Sequence, residues 1–210
     1  MQGCTRIDVA RWALRRVVPA RVKQNAATTE SGKTSLTGFV LQSSSASATE
    51  RELNSRDIVF NDPSSQGYVE PDDDQLADDL EAELQGMCPS GGTPLGVHIQ
   101  ALANTLGDGD EGRPNKITVI SDGASNRGID PVAAARILAR DYPNLKVDII
   151  DVIGTPSLRE VARLTGGKYY RSDDPDSLLD SLNSSLGICE PTTPPAPPVD
   201  RPGCGSGRWR

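Results

Sequence analysis

The period of the hydrophobic positions changes several times along the chain, and each change marks an element. Residues 5–18, TRIDVARWALRRVV, put Ile7, Ala10, Leu14 and Val17 at helical spacing with Arg11, Arg15 and Arg16 opposite, which predicts an amphipathic helix. Thr5 stands as its N-cap, and Asp8 three residues on makes an approximate capping box. Residues 35–41, SLTGFVL, read as a strand. A serine-rich loop follows, and DIVF and GYVE then predict a short hairpin or edge strands. Residues 70–87, EPDDDQLADDLEAELQGM, predict an acidic helix. Its proline and aspartates crowd the N-terminal end, where the helix dipole favours them.

The second half is more regular. TPLGVHIQALANTL predicts a helix with Leu95, Ile99, Leu102 and Leu106 on one face. KITVIS reads as a continuous apolar strand of the kind buried on both faces. DPVAAARILARDY predicts a helix with Asp130 as N-cap and Pro131 in the first turn. KVDIIDVI is a further strand, SLREVARLTGG a helix closed by glycine, KYYRS a short strand and DSLLDSLNSSL a last helix. Strands alternating with helices predict an α/β fold: a doubly wound, Rossmann-like, mostly parallel sheet with helices on both faces. The composition then shifts. Residues 1–187 read as one domain, and residues 188–210 as a Pro/Gly-rich disordered tail.

Composition narrows the function classes. The chain has 210 residues, enough for one core, with only 4% aromatics, so that core is built from Leu, Ile, Val and Ala. A net charge of −7 without a basic cluster argues against nucleic-acid binding, and no apolar run has the length of a membrane span. Cys4, Cys88, Cys189 and Cys204 show no CxxC spacing, and His98 is the single histidine, so a zinc site is not expected. The four cysteines are read either as two disulfides in an oxidising compartment or as four reduced thiols.

Most short motifs yield to a bland reading. SGKT at 31–34 lacks the earlier glycine of a phosphate-binding loop, where Ala27 stands, and its strand follows it instead of preceding it. His98 lies between apolar positions of a predicted helix, and SDGASNRG lacks nucleophile-elbow spacing, so hydrolase chemistry is disfavoured and His98 is read as structural or surface. Two motifs carry more. In CPSGGTPLG, Thr93 and Pro94 read as a helix start, and the same hydroxyl could face a cation beside the permissive Gly91 and Gly92. In ITVISDG, a buried strand ends at Ser121, Asp122 and Gly123, at the carboxyl edge where α/β sheets build sites. Asp122 either caps the next loop or meets a cation there.

Taken in order, GGTPLG, ITVISDG, KVDIIDVIG and LREVARLTGGKYYRSDDPDSLLDSL resemble bacterial von Willebrand factor A domains over roughly residues 1–186. The resemblance implies a metal-ion-dependent adhesion site holding Mg2+ or Mn2+ atop the sheet. Thr93 would be its threonine and Asp122 its aspartate, supported by Gly91, Gly92, Ser121 and Gly123. It implies a binding module, not an enzyme, whose open metal position is completed by a carboxylate from a protein partner. The family's D-x-S-x-S loop has no counterpart here; DPSSQ at 62–66 has the wrong spacing. Met1 fits the methionine that follows that loop, so the central first strand is expected to be missing from this chain. Mg2+ binding is then expected to be weak or absent, and folding of the chain alone poor. The same resemblance puts Cys4 and Cys88 on one face, where a disulfide is feasible; Cys189 and Cys204 could close a loop in the tail. A secreted or envelope location is expected if the true start lies upstream. The alternative is an intracellular module beside a ring ATPase, as in chelatase-type complexes, which GGTPL also resembles.

Overall fold

KITVIS and KVDIID lie side by side as parallel strands and carry helices on each face. The computed structural model describes residues 6–30, 39–43, 54–58, 93–110, 113–123 and 125–188. In chain order these form α1 (Arg6–Glu30), β1 (Phe39–Ser43), β2 (Asn54–Ile58), α2 (Leu95–Leu106), β3 (Gly109–Asp110), β4 (Arg113–Pro114), β5 (Lys116–Ser121), α3 (Pro131–Asp141), β6 (Lys146–Asp151), α4 (Pro156–Thr165), β7 (Tyr169–Arg171) and α5 (Pro175–Leu186). The main sheet has the order β5-β6-β7 and is parallel throughout, with α3 and α4 as crossovers. β1 and β2 form a separate antiparallel pair, as do β3 and β4.

Alternation along each strand assigns the two faces. Ile117 and Val119 of β5 join Val147 and Ile149 of β6 in a core with Ile99, Leu138 and Leu158 from α2, α3 and α4. On the opposite face Ile150 packs with Val9, Ala13 and Val17 of α1 and Leu178 and Leu182 of α5, with Ile120 and Tyr170 partly buried beside them. Each fully buried Ile or Leu stabilises by about 1.5–3 kcal/mol, so both helix layers are held to β6 by its alternating apolar residues. The helix ends follow their local chemistry. Asp130 caps α3 by accepting from Ala133 N–H at 3.0 Å, with Pro131 next in line, as expected. Asp174 and Ser177 form a reciprocal capping box at α5. α4 ends on a left-handed Gly166. The following Gly167 lies flush on Val147, where a Cβ would overlap that residue's carbonyl.

The structure departs from the expectations in four places. α1 does not stop before Pro19 but continues to Glu30. Its buried seam is Val9, Ala13 and Val17, an i, i+4, i+8 row facing α5, while Ala10 and Leu14 are only half-buried. Of the strand expected at 35–41, residues 39–41 are described; they belong to a strand running to Ser43 whose partner is Asn54–Ile58, which includes Asp57 and Ile58 of DIVF. Thr93 is not a helix cap: Pro94, at φ −85° and ψ 57°, is outside helical geometry, and α2 begins one residue after it. β5 is less enclosed than a strand buried on both faces, because Thr118 and Ile120 toward α1 and α5 stay half-exposed. Thr5, the SGKT and DPSSQ segments, GYVE, the acidic helix at 70–87, Gly91, Gly92, the four cysteines and the tail from residue 189 lie outside the described residues.

Candidate functional site

The carboxyl ends of the three parallel strands meet in register at Ser121, Asp151 and Arg171. This edge is where a parallel α/β sheet exposes loop residues around a common crevice. Ser121 is buried, and its side chain is spent on shaping the turn. Its Oγ donates to the Gly123 carbonyl at 2.9 Å, and its own carbonyl accepts Val152 N–H at 3.0 Å. Asp122, one residue on, therefore leaves the sheet, and its side chain is 56% exposed.

The loop that carries Asp122 also holds Thr93. Thr93 N–H donates to Asn126 Oδ1 at 2.7 Å, and its carbonyl accepts both Asn126 N–H at 3.1 Å and Ser125 Oγ at 2.8 Å. Gly96, in the first turn of α2, packs so closely on this loop that a Cβ there would overlap the Ile129 carbonyl. Thr93 and Asp122 are thus brought to one edge by the loop of residues 122–130. Among the described residues, no three of His, Cys, Asp and Glu gather as a metal-binding group.

A positive charge already stands at Asp122. Arg6, in the first turn of α1, donates from Nη1 to Asp122 Oδ2 at 3.1 Å across 116 positions of sequence. The packing of Val9, Ala13 and Val17 on the sheet delivers Arg6 there, so the pair depends on the core and not on local sequence. Asp151, fully buried at the end of β6, is used differently. Its Oδ1 accepts Ile153 N–H at 2.9 Å and Gly154 N–H at 2.7 Å, and its Oδ2 accepts Thr155 N–H and the Tyr169 hydroxyl, the latter at 2.9 Å. Burial and this bond push the Tyr169 phenol above its ordinary pKa, because the charged form would lose both water and its acceptor. The loop so fixed presents Ile153, the one large hydrophobic residue exposed among the described residues, at 47%. Beside it Arg171 packs over Gly154 and donates from Nε to Asp173 at 2.6 Å. His98 lies away from this chemistry, half-buried in α2. Its Nε2 has no hydrogen-bond partner among the described residues, and burial lowers its pKa.

Sequence reasoning missed Arg6, Asp151, Asn126 and Ile153. Asp151 had a signal: two aspartates, Asp148 and Asp151, interrupt an otherwise buried strand, and a buried carboxylate needs partners. Arg6 had none, since nothing local ties a helix start to a loop so far along the chain.

No protein-family model matches the chain, and no curated protein sequence matches it. Solved structures do. The von Willebrand factor type A protein from Catenulispora acidiphila is similar at 15% identity and a TM-score of 0.51, over 86% of this chain and 38% of that one. The fold is that of a von Willebrand factor A domain. Proximal thread matrix protein 1 from the mussel byssus, with a zinc-occupied MIDAS motif, is similar at 16% identity and 0.51, over 84% of this chain and 42% of that one. An aerotolerance-related membrane protein from Bacteroides fragilis is similar at 15% identity and 0.50, over 86% and 88% of the two chains. The chain thus spans about two fifths of the mussel and Catenulispora proteins. A divalent ion on this fold would need several oxygen donors in near-ideal geometry. Among the described residues the edge offers two exposed carboxylates, Asp122 and Asp173, each already paired with a guanidinium, and the hydroxyl of Thr93. These residues do not fit the ion.

Proposed function

We propose that this chain is a non-enzymatic protein-interaction module that meets its partner through the carboxyl edge of the sheet, with little or no help from Mg2+. The observation that carries the reading is Ile153. An apolar side chain stands in water on a loop whose backbone is locked by a buried carboxylate, beside the Arg6–Asp122 and Arg171–Asp173 pairs. A rigid apolar anchor rimmed by charged groups is the composition of a protein contact, since little entropy is lost when it is covered. Thr93, Asp122, Ser121 and Gly123 form the neighbouring loops of the same edge.

The weakness toward Mg2+ has an electrostatic basis. A doubly charged ion about 4 Å from the Arg6 guanidinium is repelled by about 2 kcal/mol even at the dielectric of water. That alone is about thirtyfold in affinity, before the loss of the existing ion pair is counted. The test is affinity capture of partners by the wild-type chain, by Asp122→Ala and by Ile153→Ser, each with Mg2+ and with EDTA. A partner held by the wild type, released by both variants and indifferent to EDTA is expected. Retention by both variants would remove the edge from consideration.

A further inference from the structure

Asp122 stands exposed at the carboxyl edge of the sheet, and the cation that meets it belongs to the chain itself. The other carboxylates near this edge are committed elsewhere. Asp151 is buried under four donors, Asp130 caps α3, and Asp173 is held by Arg171. Among the described residues Asp122 is exposed and meets a cation from a distant element, Arg6 at 3.1 Å, whereas the equally exposed Asp173 pairs with Arg171 two residues away. Arg6 is not a freely moving surface group, because the buried seam of α1 begins one turn later at Val9.

We infer that Arg6 is the resident cation of this edge: it neutralises Asp122 and binds a carboxylate of the partner without a divalent ion. This rests on the reading of the edge as a protein-binding surface. A guanidinium has five N–H donors in a planar fork that matches a carboxylate. The bond to Asp122 uses Nη1, and Arg6 Nε is buried without a partner among the described residues. The Nη2 side is left to receive an acidic side chain, while Asp122 holds the plane of the fork. A divalent ion and the guanidinium compete for the same carboxylate, so the edge holds one or the other.

The test uses the full chain, with Mn2+ and glutarate as probes, followed by backbone and arginine side-chain NMR. In the wild type, Mn2+ is expected to leave the amides of residues 121–123 unbroadened. Glutarate in metal-free buffer is expected to shift the Arg6 side-chain resonance and those amides. Arg6→Gln should lose the glutarate response, and Arg6→Glu, with a second carboxylate beside Asp122 in place of its cation, should gain Mn2+ broadening centred on Asp122. Thermal melts establish that each variant is folded, and Arg6→Gln, which adds no charge, covers the case in which Arg6→Glu does not fold. Wild-type broadening at Asp122 as strong as in Arg6→Gln overturns the inference. So does a glutarate shift that needs a metal, survives Arg6→Gln or is absent. If the captured partner is lost in both Asp122→Ala and EDTA, the edge reading stands and this inference falls. If the probes behave as described but Asp122→Ala and Ile153→Ser keep the partner, the inference stands and the edge reading falls.

Discussion

Replacing Asp151 by alanine removes the acceptor for four donors: the N–H groups of Ile153, Gly154 and Thr155 and the Tyr169 hydroxyl. Hydrogen bonds to a charged group are each worth about 1.5–3 kcal/mol, and a simple sum would exceed the stability of many domains. The sum overstates the cost. Ile153 and Gly154 are exposed and Thr155 is half-exposed, so water replaces much of what their N–H groups lose. Removing the carboxylate also relieves the desolvation of a fully buried charge. A loss of about 3 kcal/mol is left, carried mostly by the enclosed ends of the network.

Urea unfolding followed by circular dichroism measures it, with the slope unchanged and the midpoint lowered. Asp151→Asn keeps one acceptor and should lose about half as much. Tyr169→Phe removes one of the four bonds and should cost about 1 kcal/mol in the wild type but little in the Asp151→Ala background, because the partner is already gone. A loss under about 0.5 kcal/mol for Asp151→Ala would mean that the loop is held by other contacts, and the case for Ile153 as a rigid anchor would fail with it.

Two further outcomes follow from buried polar groups. Burial lowers the folded-state pKa of His98 below that of the unfolded chain, near 6.5, so its contribution to stability is complete above that pH and is lost as pH falls toward the folded value. His98→Gln should flatten the fall in thermal midpoint between neutral and mildly acidic pH, and an unchanged slope would remove His98 as its cause. Asp148, buried between β6 and α5, accepts from Lys168 N–H at 2.7 Å and Ser185 Oγ at 2.8 Å, with Lys116 Nζ at 3.3 Å. Asp148→Ala should cost about 2–3 kcal/mol and Lys116→Met about 1 kcal/mol, because the lysine is 40% exposed and the two other donors still hold the carboxylate; the reverse order of urea midpoints would overturn that ranking.

Much of the second half was legible because its signals are local. The helix beginning near Leu95, the strand KITVIS, the Asp130 cap followed by Pro131, and the glycine closing SLREVARLT are each written in a few adjacent residues, and each is where it was expected. Signals failed where the outcome depends on partners far away. Two hydrophobic stripes on α1 were compatible with its sequence, and only α5 and the sheet choose Val9, Ala13 and Val17. β1 takes Asn54–Ile58 as its partner, a stretch whose first residues the apolar pattern did not single out, since pairing register depends on the whole surface being covered. At the carboxyl edge, Thr93 and Asp122 stood out in their motifs as candidates. The loop that joins them and the arginine that neutralises one of them did not.

The contrast between Asp122 and Asp151 shows what decides the role of a carboxylate here. Both end adjacent parallel strands, and they differ by a single step of register: Ser121, not Asp122, is opposite Asp151. At the last strand position a side chain still lies within the layers of the sheet. Asp151 is consequently desolvated, and it can remain only because four donors converge on it. One residue later the backbone has turned out of the sheet, and Asp122 keeps its water and needs a single counter-charge. The buried acid therefore fixes the loop that carries Ile153, and the exposed acid is available to a cation or a partner. Because Arg6 reaches Asp122 from a helix anchored in the core, this ion pair is set by the packing of α1 and not by the loop sequence around Asp122.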